Sequence, residues 1–160
     1  MNADGSGAKR LTHAVGIDTN PTWSPNGGEI AFTSSRSGTP QVWIMDSDGL
    51  NLRQITRHAR YNDLAAWSPD GSRIAFCSGG GANFNLQLYD VSSGDFRQLT
   101  SGEGSNERPT WSPDGRQLAF VSNREGKKQI FVMNDDGSNV RRIIEGGNNL
   151  MPAWSRGWEK

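Results

Sequence analysis

Apolar residues in this chain fall into short runs that recur in a fixed order and never settle into a helical spacing. Ile30-Ala31-Phe32, Ile74-Ala75-Phe76 and Leu118-Ala119-Phe120 form one set, each followed two residues on by a serine, Ser34, Ser78 or Ser122. A second set runs over Val42 to Met45, Leu86 to Tyr89 and Ile130 to Met133. Before the first set stand Trp23-Ser24-Pro25, Trp67-Ser68-Pro69 and Trp111-Ser112-Pro113. Each unit closes on Arg53-Gln54-Ile55-Thr56, Arg97-Gln98-Leu99-Thr100 or Arg141-Arg142-Ile143-Ile144. Short apolar runs bounded by Gly, Pro, Asn and Asp predict strands. Every unit therefore reads as four of them: A ending in Trp-Ser, B around Ile-Ala-Phe, C over the second set, and D around Arg-Gln-Ile-Thr.

The tryptophans set the period. Trp23, Trp67, Trp111 and Trp154 are 44, 44 and 43 residues apart. A four-stranded antiparallel unit repeated at that length is the sequence form of a β-propeller blade. One blade cannot bury both faces, so stability has to come from its neighbours. A β-sandwich or a β-helix explains the strands but not the register. The expected fold is all-β, a β-propeller of four-stranded antiparallel blades, with three complete 44-residue repeats plus flanking half-blade strands. Asn26-Gly27, Asp70-Gly71 and Asp114-Gly115 predict tight A–B hairpins whose central residues both take positive φ. Asp48-Gly49 and Asp136-Gly137 punctuate C and D, whereas Ser92-Ser93-Gly94 has its glycine one place later, so that turn is expected to be rebuilt.

Met1-Asn2-Ala3-Asp4-Gly5-Ser6 matches Met133-Asn134-Asp135-Asp136-Gly137-Ser138, which places the start inside a repeat. The division is then 1–12, strand D of a partial blade; 13–56, 57–100 and 101–144, blades one to three; and 145–160, strand A of a partial blade. Open edges and a bare blade face call for cover. Either the chain is part of a longer propeller, or copies associate as a homo-oligomer that closes a ring, and association is the preferred expectation.

The text Trp-Ser-Pro-Asp-Gly, Ile-Ala-Phe, Ser, Asp-Gly, Arg-Gln-Leu-Thr resembles the TolB-type, or WD40-like, propeller repeat over essentially the whole chain. Such repeats occur in the periplasmic TolB protein of the Tol–Pal envelope system. Related ones form the propeller domains of prolyl-oligopeptidase and dipeptidyl-peptidase type enzymes. The resemblance implies a periplasmic or extracellular, non-catalytic scaffold that binds a protein or peptide through channel mouth and loops. One rival reading is the propeller fragment of a prolyl-oligopeptidase-type serine peptidase. Another is a carbohydrate-binding propeller, which needs exposed aromatics in every blade, whereas the repeated tryptophans are expected between blades.

Composition narrows the classes further. Hydrophobic residues make up only 33% of the chain, but six tryptophans argue against disorder and 20 glycines fit many tight turns. Lys+Arg and Asp+Glu both total 17, which removes the electrostatic footprint of a nucleic-acid binder. No apolar run is long enough to insert in a membrane, and the first residues carry no signal-peptide core. Cys77, the single cysteine, shares its slot with Thr33 and Val121 and reads as a small core residue.

No catalytic constellation emerges, so the chain is not expected to be an enzyme. His13 and His58 fall in D–A connections without a ligand set around them, and exposed loop residues explain both. No Gly-x-Ser-x-Gly elbow is present. Gly79-Gly80-Gly81 precedes no helix, so a flexible B–C loop is its expected meaning. Asp46-Ser47-Asp48-Gly49 and Asn134-Asp135-Asp136-Gly137 lack the spacing of a calcium loop and read as hairpin turns. The recurrence with most chemistry lies five residues before each tryptophan, at Asp18, Asn62, Asn106 and Asn149, with Asp63 and Glu107 beside two of them. Strand A is innermost in a propeller, so these oxygens are expected at one mouth of the channel. They either hold a basic peptide group or a cation such as Ca2+, or cap the turn into strand A through the backbone; no other cofactor is expected. Arg53, Arg97 and Arg141 on strand D read as edge protection. Trp43 and Trp158, outside the tryptophan register, are the candidates for exposed contacts.

Overall fold

The computed structural model describes residues 1, 3–81, 83–102 and 104–155. Asn2 and Trp158 lie outside the described residues. Three four-stranded antiparallel meanders make up the fold, each in sequential strand order. The first holds β1 (Asp18–Trp23), β2 (Glu29–Ser34), β3 (Gln41–Asp46) and β4 (Arg53–Gln54). The second holds β5 (Tyr61–Trp67), β6 (Arg73–Gly79), β7 (Phe84–Asp90) and β8 (Phe96–Gln98). The third holds β9 (Asn106–Trp111), β10 (Gln117–Ser122), β11 (Gln129–Asn134) and β12 (Arg141–Arg142). No helix occurs among the described residues, so none is available to cross a membrane.

The A–B corners differ from the expected two-residue hairpins. In the first sheet Gly27 N–H donates to Ser24 O at 2.9 Å, and only Gly27 of the Asn-Gly pair has positive φ (71°). Pro25 is the reason: its ring locks φ negative, which the expected turn type cannot accept and an ordinary type I turn favours. Serine and Asx side chains then complete the corner. Ser24 Oγ donates to Asn26 Oδ1 at 2.7 Å and accepts from Glu29 N–H at 2.9 Å. Ser68/Asp70 and Ser112/Asp114 repeat both contacts. The C–D turn of the second sheet is one residue longer, closing from Asp90 N–H to Asp95 O where the first closes from Asp46 N–H to Leu50 O.

Strand B is buried on both faces, because each sheet packs against the next. Ala31 and Ile44 of the first sheet meet Trp67 and Ile74 of the second. Ala75, Cys77, Leu86 and Leu88 of the second meet Trp111, Leu118, Phe120, Phe131 and Met133 of the third. Each Ile, Leu, Phe or Met side chain among them contributes about 1.5–3 kcal/mol when fully buried.

The flanking segments expected as strands D and A form no strand. Among the described residues Lys9–Thr12 and residues 150–155 have no adjoining strand C or B to bond to, and they form no ladder. Both segments nevertheless contact the sheet next to them. Leu11 packs on Ile30, Phe32 and Met45, and its carbonyl oxygen would lie 3.0 Å from a Cβ at Gly49. Leu99 O approaches Gly137 in the same way, at 2.8 Å, so the preceding D segment leaves these turns room for glycine only. At the other end Trp154 Nε1 donates to Thr110 O at 3.1 Å, as Trp111 Nε1 donates to Ala66 O at 3.0 Å.

Candidate functional site: the inner strands and their mouth

β1, β5 and β9 pack side by side and carry the same irregularity. Their register against strand B slips between Thr19 and Thr22, between Asp63 and Ala66, and opposite Ala119 to Val121. At each slip a non-glycine residue has left-handed backbone: Asn20 (φ 50°), Leu64 (φ 56°) and Arg108 (φ 58°). An extra residue in one strand re-aims its side chain, and such bulges gather at functional rims. Asn20, Leu64, Arg108 and Met151, one from each successive segment, line a common cleft of about 330 Å³.

The recurring Asx residues do not form one ring. Asn62 is 2% exposed and Asn106 0%. Asn62 Nδ2 donates to Gln41 Oε1 at 2.8 Å, Asn149 Nδ2 to Gln129 Oε1 at 3.0 Å, and Asn106 Nδ2 to Asn85 Oδ1 at 3.5 Å. Their partners are the equivalent position of strand C in the preceding sheet, so each amide clasps two neighbouring repeats. A clasp is neither of the two roles expected from sequence. Asp18, with no preceding sheet, instead accepts from Arg36 Nη2 at 3.0 Å. Burial opposes its charged form, but hydrogen bonds from Ser34, Arg36 and Thr12 outweigh that and hold the carboxyl below its ordinary value.

Asp63 and Glu107 are the two the structure brings together. Both line a cavity of about 150 Å³ at the start of β5 and β9, with Tyr61, Leu64, Cys77 and Phe84. Asp63 Oδ1 accepts from Thr33 Oγ1 at 2.5 Å and from Asn20 Nδ2 at 2.8 Å. Glu107 accepts from Ser105 Oγ at 2.7 Å and from Lys128 Nζ at 3.2 Å. Burial, and then the charge of Asp63, raise the Tyr61 phenol above its ordinary value. Burial also pushes the Cys77 thiol up to about 12. Among the described residues no group of three or more His, Cys, Asp or Glu is placed to hold a metal ion. Sequence reasoning missed Tyr61 and Phe84, whose edge-on ring pair (5.5 Å between centroids) walls this mouth. The signal was available for Tyr61, an aromatic six residues before the tryptophan of its unit.

Other expectations resolve locally. Trp67 and Trp111 are 8% and 7% exposed, but Trp23 is 56% exposed because no blade stands in front of it. Trp43 is not an exposed contact: it lies on β3 with the Arg36 guanidinium 5.1 Å from its ring, at the position of Gln87 and Phe131. Arg53 pairs with Glu29 at 2.8 Å and Arg97 reaches Asp135 O at 2.7 Å. His58 is exposed, edge-on to Phe96 at 6.3 Å between ring centroids.

Comparison with known proteins matches these features. The family described as TolB beta propeller domain matches residues 1–104 and 64–159. A protein TolB homolog of Chlorobium luteolum is 51% identical over 157 residues, 97% of this chain and 36% of that protein. The chain thus spans about a third of that relative's length. Among solved structures, a TolB from Agrobacterium tumefaciens has a TM-score of 0.82 at 32% identity, over 87% of this chain and 51% of that one. TolB from Acinetobacter baumannii also has a TM-score of 0.82, at 25% identity, over 92% of this chain and 37% of that one.

Proposed function

The chain belongs to the TolB β-propeller family, and from that membership we propose that it is a non-catalytic scaffold of the cell envelope that binds a protein or peptide segment at the mouth of its inner strands. The observation that carries this reading is the cavity where Asp63 and Glu107 stand together between the Tyr61 and Phe84 rings. Two carboxylates beside aromatic walls suit a basic or amide-bearing side chain of an inserted segment, and the bulges at Asn20, Leu64 and Arg108 present three further side chains along the same path. Relatives are named as TolB of the Tol-Pal system; the Pal component is therefore the first partner to try, and the periplasm the compartment expected.

The test titrates the 160-residue chain with the soluble domain of Pal and reads heat of binding. Saturable binding that weakens at least about tenfold in Asp63→Asn/Glu107→Gln is expected, the loss of two charge-assisted contacts. Unchanged affinity in the double variant removes the mouth from the interaction.

Exposure of Trp23 supports a second reading, that another blade covers the leading face of the first sheet. Such a blade comes from further repeats of the same polypeptide or from a second copy in a closed ring. Light scattering across a dilution series separates them: a stable oligomer supports the second copy, a clean monomer the longer polypeptide.

A further inference from the structure

The first and third sheets each lay an arginine over their own aromatic residues. The Arg36 guanidinium lies 5.3 Å from the Phe32 ring centre and 5.1 Å from Trp43, and Arg124 lies 5.6 Å from Phe120 and 5.0 Å from Phe131. Gly80 holds the corresponding position of the second sheet, two residues after Ser78, and has no side chain to lay over Phe76. Here a cavity of about 290 Å³ opens between the second sheet and the loop of residues 56–59 that leads into it, and Phe76 lines it. The cavity shares no residue with the mouth of Asp63 and Glu107.

Its walls are aromatic and its charge is positive. Phe76 and Phe96 meet edge to face, 6.1 Å between centroids at 87°, and His58 stands edge-on to Phe96 at 6.3 Å. Arg57 lines the cavity from the loop; it is exposed and has no ion-pair or hydrogen-bond partner among the described residues. The Ser78 hydroxyl and the Gln87 amide line it as well, and neither side chain is hydrogen-bonded among the described residues. No carboxylate among the described residues lines the cavity to balance Arg57. The repeat does not ask for this cation, since His13 and Ser101 stand in the same slot of the other two loops.

We infer that this cavity is a receptor for a carboxylate carried on an aromatic ring-sized body. The Arg57 guanidinium matches a carboxylate with a charge-assisted fork of donors, and the Ser78 hydroxyl and Gln87 amide add neutral ones. The corner between the Phe76 and Phe96 rings takes the body, edge to face or offset-stacked. A bare inorganic anion leaves that corner empty, and a neutral aromatic leaves Arg57 unmatched. The volume stands near the lower end for ligand pockets, which limits the ligand to about the size of one aromatic amino acid. A free aromatic acid and the C-terminal aromatic residue of a polypeptide both carry this chemistry.

The experiment titrates the chain with N-acetyl-phenylalanine at one fixed pH and follows the His58 ring protons by NMR. His13, which does not line the cavity, serves as the internal reference. Saturable shifts at His58 are expected. Binding should be about tenfold weaker or absent for N-acetyl-phenylalaninamide, which lacks the charge, and for acetate, which lacks the ring. Arg57→Gln, a change in an exposed loop, should weaken the probe about tenfold, and Arg57→Lys should restore part of the loss. A glycine-rich peptide ending in phenylalanine separates the sources. Binding as tight as that of the acid, lost when the chain end is amidated, assigns the cavity to a polypeptide terminus; binding of the free acid alone assigns it to a small molecule. Equal response to acid and amide, shifts that never saturate, or an affinity indifferent to Arg57→Gln overturns the inference. Failure of Pal to bind at the mouth leaves it standing, because no mouth residue takes part.

Discussion

The seam between the second and third sheets and the seam between the first and second are built on one repeat text, yet only the former is closed. In the closed seam Trp111 donates its indole N–H to Ala66 O, Arg73 lies 4.9 Å from the Trp111 ring and pairs with Asp135 at 2.8 Å, and Arg124 donates to Asn106 Oδ1 at 2.8 Å with its guanidinium 5.0 Å from the Phe131 ring. In the open seam the Trp67 indole nitrogen is buried with no partner among the described residues, and position 80 has no side chain. Apolar burial is nearly equal, 7% against 8% exposure for the two tryptophans. The difference therefore lies in a handful of polar groups placed on a shared apolar frame, each worth about 0.5–2 kcal/mol.

Tryptophan removal gives the largest effect. Trp111→Ala is expected to cost about 3–5 kcal/mol in urea unfolding, and Trp67→Ala about 1–2 kcal/mol less than that, because no indole hydrogen bond or stacked arginine goes with it. Equal losses would erase the distinction between the seams. Next, Arg124→Gly should destabilise by about 2 kcal/mol and open in the third sheet a counterpart of the cavity of about 290 Å³ that Asn62, Phe76 and Ser78 line in the second; a crystal structure or xenon-shift measurement of that variant checks the opening.

Thiol protection sharpens the contrast without altering stability much. Cys77 faces the closed seam, where it also borders the mouth cavity, with its thiol pushed up to about 12 by burial, so an aromatic disulfide reagent near neutral pH should label it slowly. In a Thr33→Cys/Cys77→Val variant the thiol sits in the open seam and should react several-fold faster. Equal labelling rates would place both thiols behind the same opening.

The smallest effect concerns acid. In the second corner, hydrogen bonds from Ser68 and Ser72 outweigh burial and lower Asp70 to about 2, while the first corner does the same work with the uncharged Asn26. A carboxyl depressed in the folded state adds stability above its unfolded value near 4, and that stability is lost as pH falls through about 2. Asp70→Asn should flatten the slope of stability over that acid window and change little at neutrality, the site being largely solvent-screened. An unchanged slope in the variant would assign the acid lability elsewhere.

The fold was legible because its signals are local or repeated. Ser-Pro-Asn-Gly dictates a corner through one proline and one glycine, and Ile-Ala-Phe at fixed intervals reports faces covered on both sides. Even there Pro25 changed the turn type. The Asn clasp was not legible, since Asn62 and Gln41 are 21 residues apart and each looks like an ordinary turn or strand residue by itself. Trp43 misled for a related reason: Trp, Gln and Phe share one site at 43, 87 and 131, and only the strand register reveals their equivalence. The Asp63–Glu107 mouth was half legible, as a pair of acids without its aromatic walls.

The left-handed residues of the inner strands have an evolutionary side. Asn20, Leu64 and Arg108 are a polar, an apolar and a cationic side chain on one backbone shape that asparagine tolerates best, unbranched side chains bear at a modest cost and β-branched ones resist. β-Branched residues and proline apart, several kinds of side chain can stand there at a modest cost to folding. Those three positions work like the wheels of a combination lock, each free to turn while the case stays rigid. Lineages sharing this frame can rewrite what passes along the inner strands by single substitutions, and a protein engineer can randomise the same three sites without rebuilding the scaffold.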